Sequence, residues 1–298
     1  MSVIITTDST CDLNQLSAER NVPIVPLSVE LGENTYLDGI NIQPEMIFNY
    51  VAETKQLPKT SAPNVEDYLN CFQKYVGEGH EIVHISLSSG ISNSNRAANL
   101  AAQEVGAEKV FVVDSLALSS AQGLLVMKAC DLRDEGKSAR EIYETVLALV
   151  PKTQTSFVVD RLDYLHKGGR CSLLSLYSAK ALKIRPSIHM DEGKLKVKKR
   201  MMGSLKHCMK KYIESLAEEF PKYDKTRCFI THTLCTPEVV QVAKDAVKKY
   251  FDFDEILETN AGSVITSHCG QGTLGLLFLS EEPVKNAKKK KKEKEDEE

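Results

Sequence analysis

The feature that most constrains this chain is the alternation of short β-rich runs with amphipathic helical patterns through its first 150 residues. Residues 3–7 read as a strand that ends at Asp8-Ser9-Thr10. A helical pattern over 13–20 follows, then a second strand over 22–29. Pro44 suits a first helical turn, where its missing N–H leaves nothing unpaired, and Met46, Ile47, Tyr50 and Val51 share one face. Asn64 can cap a helix that carries Val65, Tyr68, Leu69 and Phe72. A strand over 82–87, a helix over 93–105, a strand over 109–113 and a helix over 121–135 come next. Ser138 with Glu141 is a capping box opening one more helix. This alternation predicts a parallel sheet with helices on both faces. Ligands of such sheets bind beyond the carboxyl ends of the strands. Hydroxyl-rich exits at Asp8-Ser9-Thr10, at 86–89 and at Asp114-Ser115 therefore predict one polar crevice.

The second half has a different rhythm. A strand over 156–159 leads to an apolar-patterned helix over 161–167 and then to Gly168-Gly169. Runs at 185–190 and 195–199 flank Asp191-Glu192-Gly193, a hairpin signal. A long amphipathic helix over 204–220, a strand over 228–231, a helix over 237–250 and closing strands at 256–259 and 273–279 complete it. This is an α+β pattern with a mostly antiparallel sheet. Pro151 and its polar neighbours place the boundary near 150–155. A prior of about 150 residues per domain also gives two domains for 298 residues.

The net charge of −3 conceals an asymmetry. Residues 285–298 hold seven Lys and five acids, which leaves 31 basic and 36 acidic residues, a charge of −5, in the body. An acidic body excludes a general nucleic-acid binder, which needs a basic stripe to displace counterions. The tail has no apolar residue beyond Ala287 and reads as solvated, with at most a transient polybasic contact to a membrane surface. The opening MSVIITTDSTCDL has neither the basic region nor the apolar core of a secretion signal, and no run reaches the roughly 18 apolar residues of a membrane span. Eight scattered Cys, with no CxxC pair, read as reduced thiols of a cytoplasmic protein rather than as metal ligands.

Several residues could carry chemistry. Gly270-Gln271-Gly272-Thr273-Leu274-Gly275 spells GxGxxG, but it leads into a strand and lacks the acid of a dinucleotide site downstream. No Walker A motif is present. Ser86 to Ser89 with His232 or His268 as base would suit a serine-dependent acyl hydrolase, although the GxSxG elbow is missing. The same hydroxyls could instead hold an anion: Thr60, Ser61, Ser89 and the amide of Gly90 supply the several donors a buried carboxylate requires. Ordinary capping is a third use for them. Gly168-Gly169 can end a helix in the left-handed conformation, and Arg170 would then project from a rigid turn, suited either to an anion or to a surface acid.

Taken together, these positions resemble the DegV family, the fatty-acid-binding proteins that serve as the acyl-carrying subunit of bacterial fatty acid kinase. The resemblance runs in order over about residues 3–280. Thr7-Asp8-Ser9-Thr10-Cys11-Asp12-Leu13 is close to the family's TDS-x-x-DL. Thr60-Ser61-Ala62-Pro63 is similar to its TSQPS, and Ser86 to Ser94 to its serine-rich SSxLSGTYQSA. Val112-Val113-Asp114-Ser115 is similar to VIDS. The most specific piece, 162–170, is close to LxYLxKGGR. Lys183-Ile184-Arg185-Pro186 with Asp191-Glu192-Gly193 resembles KPI…dG, and His268-Cys269-Gly270-Gln271-Gly272 resembles HxGPG.

The resemblance implies an α/β, DegV-like fold: a parallel α/β/α domain over 1–152, an α+β domain over 153–283 and a charged tail over 284–298. It implies one long-chain fatty acid buried between the domains, with its carboxylate at Ser61, Ser89, Thr60, Gly90 and His268. It implies that Arg170 and, more loosely, Arg200 meet phosphate or partner, that a partner ATP-dependent kinase phosphorylates the carboxylate, and that the chain is a carrier rather than an enzyme. The fatty acid is the ligand, and neither cofactor nor metal is implied. Ala62, Asn64, Ile91, Ser92, Gln271 and Met201-Met202-Gly203 depart from the family pattern, and they bear on acyl preference and kinase docking rather than on the fold.

Overall fold

The computed structural model describes residues 2–171 and 184–284, so the charged tail read from the sequence, apart from Val284, lies outside the described residues. The first half contains β1 (Val3–Asp8), α1 (Gln15–Glu19), β2 (Ile24–Val25), β3 (Ser28–Leu31), β4 (Asn34–Leu37), α2 (Pro44–Thr54), β5 (Lys59–Ser61), α3 (Val65–Gly77), β6 (Glu81–Ser86), α4 (Ser94–Val105), β7 (Val110–Asp114), α5 (Ser120–Asp134) and α6 (Ala139–Leu149). Four strands form a parallel sheet in the order β2-β1-β6-β7. The Ser138/Glu141 capping box opens α6 as its spacing predicts, and Asn64, expected as a cap, opens α3 in a second box with Asp67.

The second half contains β8 (Thr153–Gln154), β9 (Ser156–Val158), α7 (Leu162–Lys167), β10 (Ile184–Asp191), β11 (Lys194–Met202), α8 (Leu205–Glu219), β12 (Tyr223–His232), α9 (Pro237–Tyr250), β13 (Glu255–Asn260), α10 (Ser263–Cys269) and β14 (Leu274–Ser280). Its sheet runs β11-β10-β9-β14-β12-β13, with β8 also on β14. Every pairing is antiparallel except β12 with β13. The glycine run at 270–275 leads into β14, not into a helix, which removes the dinucleotide reading.

Two features depart from the sequence reading. The single strand expected over 22–29 is two strands in different sheets. Pro26 has no N–H to continue the ladder, so the chain leaves the parallel sheet there and re-enters as β3. Strand β3 joins β4 and β5 in a small antiparallel sheet, with Val29 opposite Thr60 and Ser28 opposite Ser61. Residues 263–269, which had no strong periodicity, form α10, because almost all of its side chains are buried and no polar face is needed.

Helix α5 joins the two large sheets. Ala121, Leu124, Leu125, Val126, Met127, Ala129 and Cys130 are all buried, which leaves little of its circumference to solvent. They share one core with Ile5, Val83, Ile85 and Val113 of the parallel sheet and with Phe229, Leu277 and Leu279 of the other. Gly123 lets α5 reach the loop after β1: a Cβ there would stand 2.7 Å from the carbonyl of Cys11 and 2.8 Å from a Leu13 methyl. That approach justifies a helical glycine that costs about 1 kcal/mol against alanine.

Candidate functional site

The loop after β6 is fixed from beneath. Asp8, at the end of β1, is fully buried, and its carboxylate accepts the Leu87 N–H and the Tyr68 hydroxyl, both at 2.6 Å. His84 Nε2 stands 3.5 Å away. A buried carboxyl group requires such hydrogen-bond partners, and through them the aspartate of the opening motif anchors the serine loop. Asp114, at the end of β7, accepts the Ser89 and Leu116 N–H groups at 3.1 Å. Ser88 Oγ donates to the Gly193 carbonyl at 2.8 Å and accepts the Gly90 N–H at 3.2 Å. Gly90 and Gly193 touch so closely that a Cβ on Gly90 would lie 2.3 Å from the Gly193 oxygen. The tip of the β10–β11 hairpin is thus docked on the serine loop.

This geometry assigns the hydroxyls unequally. The Gly90 amide, expected as an anion donor, is already bonded to Ser88. Ser88 is committed to the hairpin. Ser89 is exposed, and its hydroxyl has no protein partner among the described residues.

The opposite wall comes from β5, α7 and α10. Thr60 Oγ1 lies 2.8 Å from His268 Nε2. His268 Nδ1 is buried without a hydrogen-bond partner among the described residues. Burial, reinforced by the nearby Arg170 cation, lowers the His268 pKa to about 4, so the ring is neutral at pH 7. Gly168 exists for this ring: a Cβ there would stand 2.6 Å from Nδ1. Gly270 plays the reciprocal part, with φ +71 and the Tyr164 ring 2.7 Å from where a Cβ would be. Gly169 takes φ +70 and turns the chain after α7. Arg170 then donates to the Gly168 carbonyl at 2.7 Å and remains exposed.

Thr60, Ser61, Ser89, Gly90 and Arg170 line one open cavity of about 800 Å³, together with Ser92, Lys194 and Lys196. Lys196 is neutralised by Asp191 at 2.5 Å. Lys194 has no ion-pair partner among the described residues. A second cavity of about 50 Å³ shares Thr60, Ile91, Arg170 and Leu195 with the mouth and adds His268, Leu27, Leu87, Leu118, Leu165 and Ile265. A third, of about 20 Å³, shares Leu118, Ile265 and Cys269 with the second and extends to Phe157 and Leu277. Its Thr residues are apolar toward it. Thr231 bonds Ser120 and Thr259, Thr233 donates to the Gly270 carbonyl, and Thr273 donates to the Cys269 carbonyl. The path from mouth to interior therefore runs from hydroxyls and cations to hydrocarbon.

Arg200 is not among the residues that line these cavities; it sits on β11 opposite Pro186. Lys194 and Lys196 were not singled out from the sequence, although a lysine directly after the hairpin glycine is the signal that could have marked Lys194. A serine-hydrolase arrangement is not assembled among the described residues. His268 bonds a threonine, no carboxylate bonds its other nitrogen, and His232 pairs with Glu258 at 3.2 Å on β13. No group of three or more His, Cys, Asp or Glu could hold a metal ion among the described residues, and no described helix is long and apolar enough to cross a membrane.

The fold thus sets two large sheets and a small third one around a polar mouth that opens over apolar cavities. The family model described as "Uncharacterised protein, DegV family" matches residues 2–281. The chain belongs to the DegV family. It is 33% identical over 282 residues to a protein of Thermotoga maritima named "Fatty acid-binding protein", covering 92% of this chain and 96% of that one. Among solved structures, a DegV family protein of Thermus thermophilus described for fatty acid binding superposes with a TM-score of 0.84 at 29% identity, covering 94% of this chain and all of that one. A DegV lipid-binding protein of Thermotoga maritima gives 0.83 at 29% identity, covering 95% of this chain and 100% of that one.

Proposed function

We propose that this protein binds one long-chain fatty acid, with the carboxylate in the mouth at Thr60, Ser61 and Ser89, His268 standing behind Thr60, and the acyl chain in the apolar cavities beneath. The observation that carries this reading is the succession of three neighbouring cavities, each sharing lining residues with the next, polar at one end and hydrocarbon at the other. Each buried methylene contributes about 0.8 kcal/mol, so a long chain supplies on the order of 10 kcal/mol, while the hydroxyls supply orientation. The mouth draws Thr60, Ser61 and Ser89 from one half of the sequence and Arg170 and Lys194 from the other. This arrangement supports the reading of 1–152 and 153–283 as two domains with the ligand between them.

In the fuller form of the proposal, the carboxylate is presented to a partner ATP-dependent kinase and returns as an acyl phosphate. Arg170 and Lys194 then lie beside the added charge, and Arg200, further along β11, serves partner contact. The sequence holds no Walker A motif.

Native mass spectrometry of the purified protein tests the binding. A single bound species with the mass of a fatty acid is expected, and so is uptake of added fatty acid after delipidation. A protein that emerges empty and takes up none overturns the reading. Acyl hydroxamate formed with a purified fatty acid kinase and ATP, only in the presence of this chain, tests the partnership.

A further inference from the structure

Leu118 and Ile265 line both inner cavities, with Cys269 completing the shared wall. They come from distant parts of the chain. Leu118 lies just ahead of α5, and Ile265 lies in α10. One residue of the opening motif, unused by the carboxylate site, holds both. The buried Asp12 accepts the Ser119 hydroxyl on Oδ2 at 2.5 Å and the Gly262 N–H on Oδ1 at 2.8 Å. Ser119 is the neighbour of Leu118, and Gly262 is the residue before α10. The backbone on either side of Leu118 is also constrained, with φ +47 at Leu116 and +56 at Ser119, a region that non-glycine residues enter at a cost. Asp38 secures the same end of α10 through the Ser263 N–H at 2.7 Å. Gly262 leaves no slack, since a Cβ there would lie 3.1 Å from both carboxylates.

We propose that Leu118 and Ile265 form a constriction that decides how far an acyl chain penetrates, and that Asp12 is the positioning residue that sets its width. The inference rests on the fatty-acid reading above and assigns its length selectivity. The cavity beyond the constriction, about 20 Å³, holds roughly one water-sized group. A longer chain enters only when the two side chains part.

The test is a titration of delipidated protein with straight-chain saturated acids from octanoic to stearic. Affinity rises about fourfold per methylene while the chain is still gaining burial, then levels. In Leu118→Trp the levelling comes at a chain shorter by about two methylenes or more, at least a tenfold loss for the longest acids. In Leu118→Ala it comes later, and this variant carries the test if the tryptophan protein fails to fold. Asp12→Ala shifts the levelling in the same direction as Leu118→Ala. Asp12→Asn, which keeps an acceptor for Gly262 and a partner for Ser119, restores the wild-type profile. Levelling at the wild-type length in both Leu118 variants overturns the constriction. A parallel fall at every length in Asp12→Ala overturns the positioning role. Wild-type protein that binds none of the series overturns the fatty-acid reading itself, a result distinct from the other two.

Discussion

Thr60 Oγ1 and His268 Nε2 lie 2.8 Å apart across 208 positions of sequence. The bond places a neutral imidazole behind a hydroxyl at the mouth, where it orients the hydroxyl without adding charge. Replacing Thr60 by Val removes this group, and we expect about a tenfold loss of fatty-acid affinity, the equivalent of about 1.4 kcal/mol. Thr60→Ser should keep most of it. Isothermal titration of delipidated protein reads both.

His268 also makes stability depend on pH with a definite sign. Its folded pKa, about 4, lies below the value of about 6.5 expected in the unfolded chain. Between these values the unfolded state binds more protons. The contribution is therefore complete above pH 6.5 and is lost as the pH falls toward 4. Urea unfolding at pH 7, 5.5 and 4.5 should show a shallower decline in His268→Gln than in wild type; equal slopes would exclude the effect.

Asp12 acts in the opposite direction. Burial raises its pKa to about 8, well above the value near 4 of an unfolded aspartate. The folded state holds the extra proton, so this contribution is present below about pH 4 and is lost as the pH rises through 8. Thermal melts from pH 6 to 9 should therefore fall in wild type and flatten in Asp12→Asn.

Ser88 and Ser89 are neighbours with separable roles. Ser88→Ala removes the bond to the Gly193 carbonyl and should cost about 1 to 2 kcal/mol of stability by loosening the hairpin. Ser89→Ala should melt within about 0.5 kcal/mol of wild type, as surface changes do, yet lose roughly five- to tenfold in fatty-acid affinity. Full affinity in Ser89→Ala would remove it from the carboxylate site.

Gly168→Ala drives a methyl group to 2.6 Å from His268 Nδ1 and 2.9 Å from the Tyr164 carbonyl. Overpacking of this kind costs about 1 to 3 kcal/mol. Denaturant melts should show the loss, and a second change, His268→Ala, should recover part of it by emptying the space.

The sequence disclosed the elements whose signals are local. The strand–helix alternation, the Asn64 cap, the Ser138/Glu141 capping box, Pro44 and the 191–193 turn predicted what the structure contains. It also grouped Thr60, Ser61, Ser89 and Arg170, which line one cavity. What it could not disclose depends on distant partners. The Gly90 amide looked available until Ser88 was seen to take it. Asp8 reads as part of a polar strand exit and Asp12 only as part of a motif, yet both are buried anchors, because only the fold brings Leu87 and Gly262 to them. Helix α10 escaped notice because burial on every side erases the periodicity on which a sequence reading depends.

The all-round burial of α5 has a consequence for how the chain is made. The helix ends at Asp134, whereas β14, which covers part of it, ends at Ser280. At about 5–20 residues per second, a ribosome needs roughly 7–30 s to supply that cover. For that interval an apolar helix has only one of its two sheets, and the half-made chain presents the kind of surface that chaperones grip.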